Sequence, residues 1–581
     1  MYIRVSGYKS GGKSYRHLKL VQAYRDGRKV KQKIIANLGN LEKFSQQDID
    51  NIFNGLCRAF ERPLPGETEY INAPSYGDVH VIVHIWHELK LAQIVARQAS
   101  RSRTKFDLEA HIRTMVINRL CDPKSKLALL AWLEGVYLPG IDREGMKYHH
   151  LLRAMDWLIE HKDEIEVELP NSVLTLFDRE LDLVFYDITS SYFETELTDE
   201  LRKYGFSRDK RGDCPQVTIG MVCTREGIPI HHTVFPGNTT DKTTVRQMVR
   251  DLKARFPITR AVFVGDRGMI TRANIEVLRE EKLDYIVAVN MRNDNAAEDL
   301  VGDFEDEVVE ARAEWKAQRD RFQASGDLPE GCKDEDDMLR LQRLFGEAVI
   351  GGRRLVVEHC EQVARVSARQ RAKRIDRTQQ GIEMVVGKLE AQDRGEKNQG
   401  RPLSEEGAII KMHELVSENR LGHTYKLKLE DGYVKVVFDE LALDWEATLD
   451  GKLVVETSLE DLTPEQVIEQ YRGLREIEES FRVLKSTLEL RPMNHWTPPR
   501  IKAHVFICVL ALVIERVMKA RLRRAGESMV PSRALEVLSN VRAVIARTSN
   551  GVARGLTYVD QQQRSLFKAL GVPVPSYENV Q

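Results

Sequence analysis

Residues 181–194 read LDLVFYDITSSYFE, a run of branched and aromatic residues with Asp187 near its middle. Such a run is typical of a buried β-strand. An aspartate flanked by apolar residues inside a strand is costly unless it is paired or binds a cation. Asp187 is therefore a candidate metal ligand, and the alternative is an acid in a turn or cap at a strand end.

The segments that follow predict three strands joined by hairpins and then alternating helices and strands. The strand AVFVGD, residues 261–266, ends at Asp266, which is a second candidate ligand with the same alternative. The predicted order βββαβαβ is that of the RNase H-like fold. Two strand acids in this order favour a shared metal site.

A third candidate acid lies in residues 471–485, YRGLREIEESFRVLK. If these residues form one helix, the apolar side chains form one stripe and Glu479 points to solvent. A neighbouring stripe consists of Tyr471, Arg475, Glu478, Arg482 and Lys485. One acid among cations suits a metal ion where phosphates also bind, and the alternative is a surface helix with ion pairs. Two strand acids and Glu478 are suited to two Mg²⁺ ions about 3.5–4 Å apart, which clamp the attacking and leaving oxygens of a phosphodiester.

Composition sets the bounds of this interpretation. At 581 residues the chain predicts several domains, and its net charge of −1 requires any nucleic-acid surface to be local. Seven scattered cysteines without a CxxC pair favour reduced thiols and no zinc site. The apolar run at 505–514 is too short to span a membrane, and the N-terminus has no apolar signal-peptide segment. We therefore expect a cytoplasmic protein without a membrane partner.

The N-terminal end is the most basic region of the chain. Residues 1–34 contain ten Lys or Arg and one acid, Asp26, in a pattern that predicts a β-hairpin. This hairpin either binds a DNA backbone or is simply solvated. Residues 7–14 fit the P-loop pattern GxxxxGK[ST], but the segment after them predicts a strand rather than the required helix, so we expect no nucleotide. Residues 45–180 predict helices, which either bind DNA or form an ordinary bundle.

Several of these motifs together resemble bacterial insertion-sequence DDE transposases. They are Asp187 in DITSSYF, GNTTD at 237–241, Asp266 in VGDRGM, and the helix at 471–485. The resemblance covers residues 181–520.

The helix at 471–485 narrows the resemblance further. Tyr471, Glu478 and Lys485 fit the spacing Y-x2-R-x3-E-x6-K of the Tyr-Arg-Glu-Lys (YREK) signature group, the IS-four superfamily. The signature arginine position holds Leu474, so Arg472 or Arg475 would take its role. Arg475 lies on the stripe that carries Glu478.

The resemblance implies a mechanism. Asp187, Asp266 and Glu478 would be the catalytic and metal-binding triad for Mg²⁺, with Mn²⁺ expected to substitute. A metal-activated water would cut one strand at a transposon end, and the released 3′-OH would attack the opposite strand, giving a hairpin, and later the target DNA. The DNA contacts would come from Tyr471, Arg472, Arg475, Arg482 and Lys485. A homodimer on paired ends is the family expectation.

The second and third acids are separated by a large segment, 293–460, which we expect to be an insertion that is helical and then β-rich. In hairpin-forming members of the group, a tryptophan of this region stacks on a flipped base. Trp445 is the candidate here, and a core tryptophan is the alternative.

The expected fold class is an α/β RNase H-like core interrupted by an α+β insertion, with a small basic β segment and a helical domain before it. The expected regions are a β-hairpin at 1–44, a helical domain at 45–180, a first core segment at 181–292, the insertion at 293–460, a second core segment at 461–525, and a helix and tail at 526–581.

Two other functions remain open at this point. A structure-specific nuclease with the same metal chemistry would not need the large insertion or the basic helix. A domesticated, non-catalytic DNA-binding protein would not need three acids. Both features favour the transposase.

Overall fold

A computed structural model describes most of the chain, and Asp266 lies outside the described residues. The chain divides into two compact units, one comprising Met1–Trp86, Arg113–Leu151 and Arg521–Gln581, the other His87–Ile112 and Leu152–Ala520. The described residues are 2–11, 13–26, 29–59, 68–177, 183–255, 262–265, 271–326, 328, 332–395, 402–430, 433–548, 551–576 and 578.

The described strands are β1 (Tyr2–Ser10), β2 (Lys13–Asp26), β3 (Lys29–Asn40), β4 (Glu69–Asn72), β5 (Leu183–Tyr192), β6 (Gln216–Cys223), β7 (Pro229–Pro236), β8 (Val262–Gly265), β9 (Asp284–Ala288), β10 (Arg343–Ile350), β11 (Arg353–Cys360), β12 (Tyr425–Glu430), β13 (Tyr433–Phe438), β14 (Lys452–Thr457), β15 (Ala543–Thr548) and β16 (Gly551–Leu556).

The described α-helices are α1 (Gln46–Ala59), α2 (Gly77–Glu88), α3 (Leu91–Ala99), α4 (Leu108–Cys121), α5 (Ala128–Trp132), α6 (Tyr148–Glu160), α7 (Lys162–Phe177), α8 (Asp241–Arg255), α9 (Arg272–Glu280), α10 (Asn295–Ser325), α11 (Glu335–Leu341), α12 (Glu361–Asp393), α13 (Glu405–Glu418), α14 (Glu440–Thr448), α15 (Pro464–Arg472), α16 (Leu474–Ser486), α17 (Pro498–Arg524), α18 (Pro531–Leu538) and α19 (Gln561–Ala569).

The second unit is built around an eight-stranded sheet in the order β10-β11-β14-β9-β8-β5-β6-β7. Strands β5, β6 and β7 pair antiparallel in sequence order. A short turn joins β6 to β7, whereas the long segment 193–215 joins β5 to β6, so the predicted hairpin between those two strands is wrong. Strand β5 pairs parallel with β8, and β8 pairs parallel with β9, because helices α8 and α9 carry the chain back between them. The succession β5-β6-β7-α8-β8-α9-β9 agrees with the predicted βββαβαβ order.

The side chains of β5 point alternately to the two faces of this sheet. Val184, Tyr186 and Ile188 are buried in one cluster with apolar residues of α8 and α9. Successive side chains of a strand point to opposite faces, so Phe185 and Asp187 lie on the other face. Helix α16 packs against β5.

The described residues of 293–460 contain helices and strands, but the strands are not confined to the later part as expected, because β10 and β11 precede α12. Strands β10, β11 and β14 extend the central sheet, with β14 paired antiparallel to both β9 and β11. The hairpin β12–β13 and the helices α12 and α13 form a satellite with its own apolar cluster. The segment is thus partly a continuation of the core sheet.

The first unit contains two small sheets. The predicted N-terminal hairpin corresponds to β2–β3, and β1 adds a third antiparallel strand to it. In the second sheet, β15 pairs with β4 and β16. The expectation of a helix and tail at 526–581 is therefore incomplete, because α18 ends at Leu538 and a strand begins at Ala543.

Residues 45–180 are mainly helical, as predicted, but they are shared between the two units. Among the residues that the structure describes, no helix has both the length and the apolar character needed to cross a membrane.

Candidate active site

Asp187 lies inside β5, as the sequence predicts, and is half-buried. Its Oδ1 accepts a hydrogen bond from the backbone N–H of Ile188 at 2.7 Å. Phe185, which shares its sheet face, is only 1% exposed and packs against the backbone of Gly473. Asp187 therefore lies on the face that meets the junction of α15 and α16.

The segment predicted as one helix consists of two, α15 and α16, which meet at Gly473. Gly473 keeps right-handed helical dihedral angles, φ −56° and ψ −20°. A Cβ atom at this position would lie 2.4 Å from Cζ of Phe185, so only glycine permits this approach. The prediction of an uninterrupted helix is wrong here, because the backbone hydrogen bonds around Gly473 span three residues rather than four, from the Gly473 N–H to the Gln470 carbonyl and from the Glu476 N–H to the Gly473 carbonyl.

The apolar stripe of α16 is confirmed. Leu474, Ile477, Phe481 and Leu484 are all buried, whereas Glu478 is exposed. The helix is held to the β6–β7 turn by the Ser480 hydroxyl, which donates to the Gly227 carbonyl at 2.9 Å. This contact fixes which side of α16 faces the sheet.

Glu479 does not point freely to solvent, contrary to expectation. It forms an ion pair with Lys519 of α17, and Nη1 of the buried Arg516 lies 3.8 Å from its carboxylate. Its side chain is 31% exposed. Burial raises the pKa of Glu479, but Lys519 and the neighbouring arginines outweigh it and the pKa is lowered. Glu476 binds the same Lys519 at 2.9 Å. Two glutamates thus anchor α16 to α17.

Several of the predicted DNA-binding residues line one cleft with Glu478. The cleft has a volume of about 250 Å³ and is lined from the helices by Tyr471, Arg472, Arg475 and Glu478. Glu358 and Lys452 line it from β11 and β14. Three members of the predicted stripe, Tyr471, Arg475 and Glu478, thus share one concave surface, which neither Arg482 nor Lys485 lines.

The two arginines considered for the signature position differ in their surroundings. Arg472 Nη2 donates to both carboxylate oxygens of Glu358, at 2.6 and 2.8 Å. Arg343 binds the same carboxylate at 2.6 Å. Arg475 is exposed on the cleft wall. Arg475 is therefore the more accessible of the two cations.

The far end of the stripe carries Lys485 and Arg482. Lys485 lies 3.1 Å from Asp209. Burial lowers the pKa of Lys485, and the Asp209 carboxylate offsets this only partially. The Arg482 side chain is 73% exposed and lies 3.5 Å from Glu479. Lys485 lines a second, larger cleft rather than the one that contains Glu478.

Trp445 lies on α14, where the sequence predicted strands. Asp439 caps this helix by accepting a hydrogen bond from the Ala442 N–H at 3.1 Å. Trp445 is partly buried and packs against a cluster that includes Leu300 and Phe304 of α10. This packing matches the alternative of a core tryptophan.

The second predicted acid, Asp266, lies outside the described residues. Strand β8 ends at Gly265, immediately before it. Among the described residues, which exclude Asp266, no group of three or more His, Cys, Asp or Glu side chains is arranged to hold a metal ion. The donors that remain, Asp187 and Glu478, offer carboxylate oxygens, which are the ligands that Mg²⁺ prefers.

The sequence interpretation missed partners that shape the site. Glu358 is an acid within a buried strand, and the same signal that identified Asp187 would have identified it. Asp209 and Lys519 carry no comparable signal, because each is a charged residue in a polar stretch. Their roles follow only from long-range contacts.

Two segments of the chain are similar to known protein families. Residues 182–514 match the family described as Transposase DDE domain. Residues 3–68 match the IS1634 family transposase, N-terminal domain. No curated protein sequence matches the chain. The first match covers more than half of the chain and contains both Asp187 and Glu478. The chain therefore belongs to the DDE transposases of insertion sequences.

Proposed function

We propose that the protein cuts the ends of its DNA element and joins them to target DNA by metal-dependent phosphoryl transfer, in a cut-and-paste reaction. One observation carries this proposal. Asp187 lies on a central strand of the sheet, on the face that contacts the helix pair bearing Glu478, Tyr471 and Arg475. Asp187 does not itself line the cleft of Glu478, so the support for a shared site is that the strand carrying one acid packs against the helix pair carrying the other.

We assign the metal ligands to Asp187, Asp266 and Glu478. The parallel pairing of β5 with β8 supports Asp266, because Phe185 pairs with Val264. Asp187 and Asp266 each follow these paired residues by two positions in the sequence. When bound, Mg²⁺ or Mn²⁺ would activate water and stabilise the charge that develops on the phosphodiester.

The protein's own side chains would bind and orient the DNA. Arg475, exposed beside Glu478, is suited to a phosphate next to the cut, and Tyr471 lies on the wall of the same cleft. Lys485 and the exposed Arg482 are suited to phosphates further along the strand. We assign Arg472 to support of the cleft through Glu358 rather than to DNA.

Membership of the YREK group, with hairpin formation, belongs to this proposal. The spacing of Tyr471, Glu478 and Lys485 supports it, and Leu474 departs from it. Arg475 would take the place of the missing signature arginine. We also propose that the protein acts as a homodimer on paired transposon ends. Its substrates would be transposon and target DNA in the bacterial cytoplasm. A stacking role for Trp445 would require it to leave the cluster in which it packs.

The alternatives are a structure-specific nuclease and a domesticated DNA-binding protein. The match of residues 3–68 to an insertion-sequence N-terminal domain counts against a nuclease of another family. The half-buried carboxylate of Asp187 and the exposed carboxylate of Glu478 count against a purely binding function. Short inverted repeats flanking the gene would favour a mobile element over a captured gene.

The test is cleavage of a labelled linear DNA that carries the element's own end. Wild type and Asp187→Asn are compared with Mg²⁺, with Mn²⁺ and with EDTA. We expect cutting at the element boundary that requires metal and is lost in Asp187→Asn. Denaturing gels then reveal whether a hairpin forms.

Two results would contradict the proposal. Cutting without preference for the element's end would favour the nuclease. Binding without cutting by fresh wild-type protein would favour the DNA-binding protein.

A further inference from the structure

Strand β10 lies at one end of the eight-stranded sheet and pairs with β11 on one side. Among the described residues, no strand pairs with its other side. The free edge of an eight-residue strand offers N–H and C=O groups to another strand unless proline, charge or a covering segment prevents it. β10 contains no proline, and its sequence RLFGEAVI is rich in branched and aromatic residues.

The hydrogen bonds on the paired side identify the residues whose backbone faces the free edge. The Cys360 N–H donates to the Gly451 carbonyl at 2.9 Å and so points away from β10, and Cys360 lies opposite Arg343. The Glu361 N–H donates to the Gln342 carbonyl at 3.1 Å, so this carbonyl points towards β11. The direction of the backbone groups alternates along an antiparallel strand. The outward-facing residues are therefore Arg343, Phe345, Glu347 and Val349.

The side chains of these four residues also share one face of the strand. Leu344, Ala348 and Ile350, on the opposite face, pack against an apolar cluster that includes residues of α10. At the two ends of the outward-facing row, Val349 is 73% exposed and Leu341, which ends α11, is 65% exposed. Large apolar side chains this exposed at a free sheet edge are typical of a surface that is covered by a partner.

The edge is complementary to a second copy of itself in one antiparallel register. With Phe345 on the two-fold axis, each Arg343 lies opposite Glu347 of the other copy. The same register brings each Leu341 close to Val349 of the other copy. All the residues paired across the axis in this register have outward-facing backbone groups, so the two strands can form about six hydrogen bonds.

Neighbouring registers that also match the backbone groups fit less well. An axis at Glu347 would place two carboxylates directly opposite each other, which is destabilising. An axis at Gly346 would place Arg343 opposite Val349. In the favoured register, Glu347 can accept the additional bond, because its side chain is 44% exposed even though it pairs with Arg354.

We propose that β10 is a dimer interface, in which the free edge of one copy pairs antiparallel with β10 of a second copy and continues the sheet through both. The inference rests on the proposed function in one respect, that the protein acts as a homodimer. Pairing of edges buries little side-chain surface, so we expect a dimer that depends on protein concentration.

The first test is the mass of the full-length protein without DNA, measured by sedimentation equilibrium from about 1 to 100 µM. For wild type we expect the mass to rise with concentration from 66.6 kDa towards twice that value. Glu347→Arg, which places like charges opposite each other, should weaken the dimer about 5- to 100-fold. Val349→Asp should also weaken it. Val309→Asp is the matched control, because Val309 is an exposed valine of α10 outside this edge, and it should leave the dimer unchanged.

The second test determines the register by disulfide formation under mild oxidation. Residues of a hydrogen-bonded pair have Cα atoms about 5.5 Å apart, a separation that a disulfide can bridge. Phe345→Cys lies on the proposed axis and should give a covalent dimer on a non-reducing gel. In Val349→Cys the two new thiols would be about 27 Å apart, so it should give no more than the background of wild type with its seven native cysteines. Circular dichroism establishes that each variant is folded.

Several results would overturn the inference. They are a wild type that stays monomeric at about 100 µM, a dimer that Glu347→Arg and Val349→Asp leave intact, and covalent dimers from Val349→Cys but not from Phe345→Cys. The first two would also mean that the edge is free or binds a different protein. Cutting of the element's end by a monomeric wild type would refute the interface and leave the cutting activity standing. A dimer with the expected register that does not cut would refute the proposed function and leave the interface standing.

Discussion

Gly473→Ala tests the contact that brings the helix pair to β5. The new Cβ would lie 2.4 Å from Cζ and 2.7 Å from Cε1 of Phe185. Both distances are far below van der Waals contact. Phe185 is only 1% exposed, so its ring has no free space into which it can move. The substitution must therefore push α16 away from the strand that carries Asp187.

The expected change in the free energy of unfolding is the sum of two opposing effects. Overpacking a filled core costs about 1–3 kcal/mol. Alanine also restricts the unfolded chain, and at a residue with right-handed helical angles this stabilises the fold by about 0.4–1 kcal/mol. We expect a net loss of about 1–2 kcal/mol in the free energy of unfolding. A shift of about 1 Å between catalytic groups can lower the cleavage rate about 100-fold.

The assays are urea denaturation and cleavage of the element's end under single-turnover conditions. Gly302→Ala in α10 is the matched control, because a Cβ there meets no atom within 4 Å. It should stabilise the protein by about 0.4–1 kcal/mol and leave the cleavage rate unchanged.

The reasoning would be refuted if Gly473→Ala matched the control in both assays. Phe185→Leu provides a further check, because it shortens the ring that the new methyl group meets. In that background Gly473→Ala should cost less than it does in wild type, and additive effects would contradict the proposed clash.

Three further predictions concern the surroundings of the site. Arg472→Gln leaves the buried Glu358 with one cation fewer, so the free energy of unfolding should fall by about 1–3 kcal/mol. The salt dependence of DNA binding should stay the same, and a change in its slope would contradict this. Burial lowers the pKa of His232, which binds Glu166, to about 4. Below pH 6.5, the ordinary pKa of histidine, this side chain takes up a proton in the unfolded chain but not in the folded one. The free energy of unfolding should therefore fall between pH 6.5 and 4, by up to about 3 kcal/mol. In urea titrations at about pH 7.5 and 5, His232→Asn should reduce this fall. Trp445→Ala should lower the unfolding midpoint without altering DNA affinity, because Trp445 packs in a core.

Local patterns predicted the elements of the fold that depend on neighbouring residues. The spacing of apolar residues predicted the buried stripe from Leu474 to Leu484, because helical periodicity alone determines which side chains share a face. The strand around Asp187 and the order of β5 to β9 followed in the same way. The same pattern placed Glu478 on the stripe next to the apolar one and Glu479 in solvent, whereas in the structure Glu478 is exposed and Glu479 is partly buried.

Long-range contacts determined what the sequence interpretation missed. Glu479 is held by Lys519, forty positions further along the chain, and no local pattern connects them. Strand β14 joins β9 through a pairing such as Val455 with Ala288, which nothing in either segment specifies. The C-terminal strand β15 pairs with β4, although most of the chain separates the two strands in sequence. Helix α14 was predicted as strand because its capping residue, Asp439, was not recognised.

The most direct test of the central claim compares Glu478→Gln with Glu479→Gln in metal-dependent cleavage of the element's end. The two positions are adjacent, but Glu478 is exposed on the cleft and Glu479 is paired with Lys519. We predict that Glu478→Gln is folded and inactive, whereas Glu479→Gln is less stable and still cuts with Mg²⁺. Cleavage by Glu478→Gln together with its loss in folded Glu479→Gln would contradict the assignment of the third acid.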